Sequence, residues 1–143
     1  MTIRSMQIYM LEPDEDDRLL TKSVFTDKAY PVHLSFFTYD HELLGLLSTL
    51  EHSRYPDLVL VNGDLKPEGK ALDFIRTFKT HERYRWIPLI VVSNQLPPEQ
   101  VLQYYTAGVN SFITKPFTNE QAMKKMDVFV KYWFEVVELP VEN

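Results

Sequence analysis

The sequence predicts an α/β domain built on a doubly wound, five-stranded parallel sheet, with strand order 2-1-3-4-5 and helices on both faces. Three observations carry that expectation. Apolar runs of strand length, rich in β-branched and aromatic residues, alternate strictly with segments of helical spacing. The connections are short, and short connections in such an alternation imply parallel strands covered by helices. The chain has 143 residues, which suits five such units sharing one core.

The elements follow in order. Ile8 to Leu11 reads as the first strand, and Asp14 to Phe25 as a helix whose acidic opening suits the positive end of a helix dipole. Val32 to Phe37 is the second strand. Asp40 to Leu50 carries Leu43, Leu46, Leu47 and Leu50 on one stripe. Leu58 to Val61 is the third strand, followed by a helix from Ala71 to Phe78 with Leu72, Ile75 and Phe78 on one side. Ile87 to Val92 is the fourth strand. Pro97 to Ala107 opens on Pro-Pro-Glu and closes at Gly108, a helix start and stop. Phe112 to Thr114 is the short fifth strand. The last helix begins at a capping box, Thr118-Asn119-Glu120-Gln121, with Thr118 as N-cap. Its inner stripe is Ala122, Met126, Phe129, Val130, Trp133 and Val137, and Pro140 ends it.

Composition excludes several classes. Hydrophobic residues make up 45% of the chain, so it is globular and not disordered. The absence of cysteine removes disulfides, zinc-thiolate centres and thiol nucleophiles, and it agrees with a reducing compartment. Met1 to Gln7 lacks a signal-peptide apolar stretch, and no run approaches the roughly 20 apolar residues needed to span a bilayer. A cytoplasmic protein without membrane contact is expected. A net charge of −5 argues against nucleic-acid binding, and the modest cluster of Lys124, Lys125 and Lys131 reads as a solvated helix face. His33, His41, His52 and His81 read as surface or edge residues without metal-ligand spacing.

This flavodoxin-like arrangement collects function at the carboxyl ends of its strands, beside the switch point. The residues there are Glu12-Pro13-Asp14, Asn62-Gly63-Asp64, Ser93-Asn94 and Lys115-Pro116. "AGVNSFITKPF", from Ala107 to Phe117, is the most specific stretch, supported by "PDLVLV" and "IPLIVVS". In this order these residues resemble the phosphoacceptor receiver domains of two-component response regulators, the CheY-like family. The closing "KYWFEVVELP" is similar to the tail of stand-alone receivers. The resemblance implies one receiver-like domain over residues 1–143, with its core at about 6–138.

What the resemblance implies for the site is partial. Family members hold magnesium with two acids after the first strand and an aspartate after the third, and that aspartate takes the phosphoryl group. Here the first acid is matched by Glu12, the second position is Pro13, and the acceptor position is Asn62. Ser93 matches the hydroxyl that senses the phosphoryl group, Lys115 the lysine that pairs with it, and Phe112 the aromatic switch position. The matching positions thus leave one carboxylate against one lysine. Magnesium is normally held through one or two carboxylates among oxygen ligands, so its binding is expected to be weak or lost, with no other cofactor. Asn62 is neutral and a poor nucleophile compared with a positioned carboxylate.

Competing readings stay open here. Asp14 to Asp17 is either a set of displaced metal ligands or, as preferred, an acidic first turn with Asp14 as N-cap. Asp64 is either a surrogate acceptor or, as preferred, a turn residue. Asn62-Gly63 is also a sequence in which deamidation is least hindered, a minor option. Lys115 needs a partner if buried and is expected to reach Glu12, the Asn62 amide oxygen, or both. Trp133 is expected in the core, while Tyr104, Tyr105 and Tyr132 are candidates for a protein contact surface. The expected function is that of a degenerate receiver, not an enzyme, acting through a protein partner such as a histidine kinase or another signalling protein, or through a homodimer. The alternatives are a receiver with a site rebuilt from Glu12, Asp14 and Asp64, and a small-ligand binder at the strand-end cleft.

Overall fold

The computed structural model describes residues 5–26, 31–115 and 119–140. Its strands are β1 (Met6–Leu11), β2 (Val32–Phe37), β3 (Leu58–Asn62), β4 (Leu89–Ser93) and β5 (Ser111–Thr114). They form one parallel sheet in the order β2-β1-β3-β4-β5, as the alternation predicts. The helices are α1 (Glu15–Phe25), α2 (Asp40–Thr49), α3 (Lys70–Thr80), α4 (Pro98–Ala107) and α5 (Asn119–Lys131).

β3 lies at the centre and is buried along its whole length. Successive side chains of a strand point to opposite faces, and β3 divides accordingly. Val59 and Val61 join Leu43, Leu47, Phe74 and Phe78 on the face covered by α2, α3 and α4. Leu58 and Leu60 join Ile8, Met10, Phe25, Phe129 and Trp133 on the face covered by α1 and α5. This two-sided burial is why "LVLV" is uniformly apolar and not alternating. Phe25 and Phe129 meet edge to face across α1 and α5 with centroids 6.1 Å apart.

Several boundaries differ from the sequence reading. Ile87 is fully buried but precedes β4, because its N–H closes a turn onto the Tyr84 carbonyl and Pro88 supplies only a carbonyl, which accepts from the Val59 N–H. Phe74, absent from the expected α3 stripe, is 1% exposed and central to the core. A short 3-10 turn, His52–Arg54, lies before β3. α4 stops at Gly108, whose φ of 111° is the left-handed conformation that glycine adopts without a Cβ penalty. α5 passes into a wider π-helical turn over Tyr132–Val136, where the Val137 N–H reaches back to the Tyr132 carbonyl. The expected Thr118 cap lies outside the described residues, as do Pro116 and the side chain of Ala122.

Candidate functional site

The parallel register brings four chain segments to one edge of the sheet. Leu11 pairs with Val61, Asn62 with Val92, and Ser93 with Thr114, so the residues that end β1, β3, β4 and β5 are neighbours. Glu12 and Ser93 are fully buried there and Asn62 is 5% exposed.

Asn62 donates from Nδ2 to both carboxylate oxygens of Glu12, each at 2.9 Å. Its other amide atom, Oδ1, accepts from the Asp64 N–H at 2.8 Å. The amide is therefore satisfied on both sides. Glu12 Oε2 also accepts from the Asp14 N–H at 3.4 Å, and the Glu12 carbonyl takes the Arg18 Nε–H. Burial raises the Glu12 carboxyl above its ordinary range, and the Asn62 hydrogen bond opposes that shift in part.

The side-chain turn between Asn62 Oδ1 and the Asp64 N–H folds Asp64 back over the strand ends. Ser93 Oγ donates to Asp64 Oδ1 at 3.1 Å, while Oδ2 accepts from the Asn94 N–H at 3.1 Å and from Lys115 Nζ at 3.3 Å. Lys115 also lies 3.7 Å from Asp17 Oδ2 on α1. One carboxylate thus ties the loops after β3 and β4 to the end of β5.

Two expectations are corrected here. Lys115 does not bond Glu12 or the Asn62 oxygen; it pairs with Asp64 and Asp17, because Asn62 already serves Glu12 and its own oxygen holds a backbone N–H. Asp64 is a turn residue, as preferred, but its side chain also belongs to the pocket. The local charge is therefore not one carboxylate against one lysine, since Glu12, Asp64 and Asp17 all face this region. Asp14 caps α1 by accepting from the Asp17 N–H at 2.9 Å, the role preferred for it. Pro13 is exposed beside it.

Gly63 has a steric reason. A Cβ at this position would stand 2.6 Å from Ser93 Cβ and 2.8 Å from Ser93 Oγ, so only glycine lets β3 and β4 close here. The Gly63 N–H donates to the Val92 carbonyl at 3.0 Å. This sheet bond engages the backbone nitrogen that deamidation at Asn62 would use for attack.

Tyr104, a candidate for the contact surface by sequence, is only 9% exposed. Its hydroxyl donates to the Gly63 carbonyl at 3.3 Å, and its ring packs 5.5 Å from that of half-buried Phe112. Burial and then the Asp64 charge push the Tyr104 hydroxyl's pKa up. The contact reading fails for Tyr104 because α4 turns this face onto the β3 loop. Tyr105 and Tyr132 are 46% and 47% exposed. They border an open groove of 590 Å³ beside the outer edge of β5, with Phe112, Ile113 and Val128 among its walls. At that edge the Tyr105 hydroxyl accepts from the Phe112 N–H at 3.0 Å and Lys125 Nζ donates to the Thr114 carbonyl at 2.7 Å. Trp133 is core.

His33, His41 and His81 are exposed, while His52 is half-buried in an aromatic cluster with Tyr55 and Trp86. Among the described residues no three His, Cys, Asp or Glu side chains are placed to hold a metal ion. No helix among them is long and apolar enough to cross a membrane.

Sequence reasoning missed the Asp64 clamp, the Tyr104 link and Asp17's approach to Lys115. The signal for the first was available: asparagine two residues before an acid is a side-chain turn, which returns the acid over the strand end.

No family model matches the chain. Chemotaxis protein CheY1 of Helicobacter pylori is 31% identical over 70 residues, which is 49% of this chain and 56% of that protein. Chemotaxis protein CheY-3 of Vibrio cholerae is 27% identical over 125 residues, covering 87% of this chain and 91% of that protein. The phosphorylated cyanobacterial phytochrome response regulator RcpA superposes with a TM-score of 0.82 at 20% identity, covering 96% of this chain and all of that one.

Proposed function

We propose that this chain, a CheY-like receiver domain of two-component signalling, works through protein contacts without phosphorylation of the residue at position 62. One observation carries the reading: the group at the acceptor position is a neutral amide, bonded through Nδ2 to both oxygens of Glu12. An amide so placed has neither the charge nor the free lone pair with which a carboxylate attacks phosphorus.

The residues present do not fit the magnesium site that the family implies. Pro13 offers no side-chain oxygen. Both Glu12 oxygens face the Asn62 amide, and both Asp64 oxygens face Ser93, Asn94 or Lys115. The same engagement speaks against a site rebuilt from Glu12, Asp14 and Asp64, since Asp14 is committed to its helix cap. The chain is then not an enzyme in its own right, and its conformation is set by its own contacts or by a partner.

The surface that supports contact signalling is the groove beside β5, where Tyr105, Val128 and Tyr132 stand in solvent. Exposed aromatic and apolar side chains grouped along a groove favour protein association. A histidine kinase or another signalling protein is the proposed partner class, in the cytoplasm.

The test is the amide NMR spectrum of the wild type with magnesium and beryllofluoride. The spectrum is expected to stay unchanged around Asn62, Ser93 and Lys115. Saturable shifts at those three amides would overturn the reading.

A further inference from the structure

We infer that Ser93, Asn94 and Lys115 form an oxyanion cradle that the chain's own Asp64 occupies as a permanent internal anion. This rests on the reading above, in which no phosphoryl group forms at position 62.

Three donors from two segments converge on one carboxylate. They are a fully buried hydroxyl, a backbone N–H and an ammonium, at 3.1, 3.1 and 3.3 Å. Hydroxyl, amide and ammonium together make a set that recognises an oxyanion, because each contributes a hydrogen bond and one contributes full charge. Asp64 shares its two oxygens among them, Oδ1 to the hydroxyl and Oδ2 to the other two.

Asp64 is also delivered, not merely nearby. The Asn62 amide oxygen holds the Asp64 N–H at 2.8 Å, and Tyr104 anchors the Gly63 carbonyl from α4. The residue that cannot accept a phosphoryl group therefore presents the carboxylate that fills the place of an external anion. An intramolecular ligand on a short tether acts at millimolar effective concentration or above, so a free oxyanion at millimolar concentration competes poorly. The cradle's ligand class is a tetrahedral oxyanion such as phosphate, admitted only when Asp64 is displaced or neutralised.

The consequence is conformational. With Asp64 in place the loop after β4, the end of β5 and α4 are held as a unit, without any input from a phosphoryl donor. A ligand or partner can shift this state only by binding better to the form in which Asp64 has left.

The test titrates inorganic phosphate at ionic strength matched with chloride, following the amides of Ser93, Asn94 and Lys115. The proteins are wild type, Asp64→Ser, Asp64→Asn and Asp64→Ser/Lys115→Met. Expected are saturable shifts in both single variants, an apparent affinity at least about tenfold weaker in the wild type, and no saturation in the double variant. The proposal is overturned by equal response of wild type and variants, by no saturable response in either folded single variant, or by shifts that chloride alone reproduces. No phosphoryl donor is present, so failure here is distinguishable from failure of the phosphorylation reading, which beryllofluoride and magnesium report.

Discussion

Asn62→Asp replaces the amide nitrogen, 2.9 Å from both oxygens of buried Glu12, by an oxygen carrying like charge. The variant loses hydrogen bonds to a charged group, each worth about 1.5–3 kcal/mol. It gains a repulsion that the pair escapes by sharing one proton, as close carboxylates do. Keeping a proton at pH 7 on a group with an ordinary pKa of about 4.3 costs about 3.7 kcal/mol, which bounds the repulsion. The shared proton restores part of the lost bonding, so the expected loss is about 2–4 kcal/mol at neutral pH without divalent cations. With a urea slope of about 2 kcal/mol/M, the midpoint falls by about 1–2 M. Near neutrality the folded pair holds a proton that the unfolded chain has already released, so the deficit shrinks as pH falls toward about 4.5 and widens toward 7. Urea unfolding of both proteins with a chelator, at about pH 4.5 and 7, measures it. A variant as stable as wild type at pH 7 would refute the dependence of Glu12 on the amide.

Three further outcomes are expected. Gly63→Ala loses about 1–3 kcal/mol in urea unfolding, because the new methyl group meets Ser93 Cβ at 2.6 Å and must displace backbone or side chain. Glu12, whose carboxyl is raised by burial, favours the folded state in its protonated form. Its contribution is full below the ordinary carboxylate pKa and fades as pH rises through the folded value. Glu12→Gln should flatten that acid-side slope in thermal denaturation. Lys79 is pushed down to about 8 by burial, while its ammonium donates to the Arg85 and Ile87 carbonyls and to Asn110 Oδ1. Above that value the folded chain binds fewer protons than the unfolded one, so stability rises with pH toward the ordinary lysine pKa. Subtracting the Lys79→Met pH profile from the wild-type one should leave that rise.

The strand order was legible because β3 is buried on both faces and its connections are short, two features that write themselves into apolar runs. Boundaries were less so. Ile87 reads as strand because it is fully buried, yet burial there comes from a turn packed under the core. The pocket was legible as a set of positions: Glu12, Asn62, Ser93 and Lys115 all reach one sheet edge. Its wiring was not. Pairing Lys115 with Glu12 follows from charge alone, whereas the structure lets Asn62 serve Glu12 and swings Asp64 in to serve Lys115. Tyr104 shows the same limit, since neighbouring tyrosines on α4 differ in sequence by one position and in environment by a whole helix face.

The central claim is that both the acceptor and the metal-binding half of the pocket have lost their chemistry. Phosphorylation by acetyl phosphate with magnesium, read by intact mass, tests it on wild type, Asn62→Asp and Asn62→Asp/Pro13→Asp. The account predicts no phosphoryl adduct on wild type and an adduct that becomes efficient only in the double variant. A magnesium-dependent adduct on the wild type would contradict it.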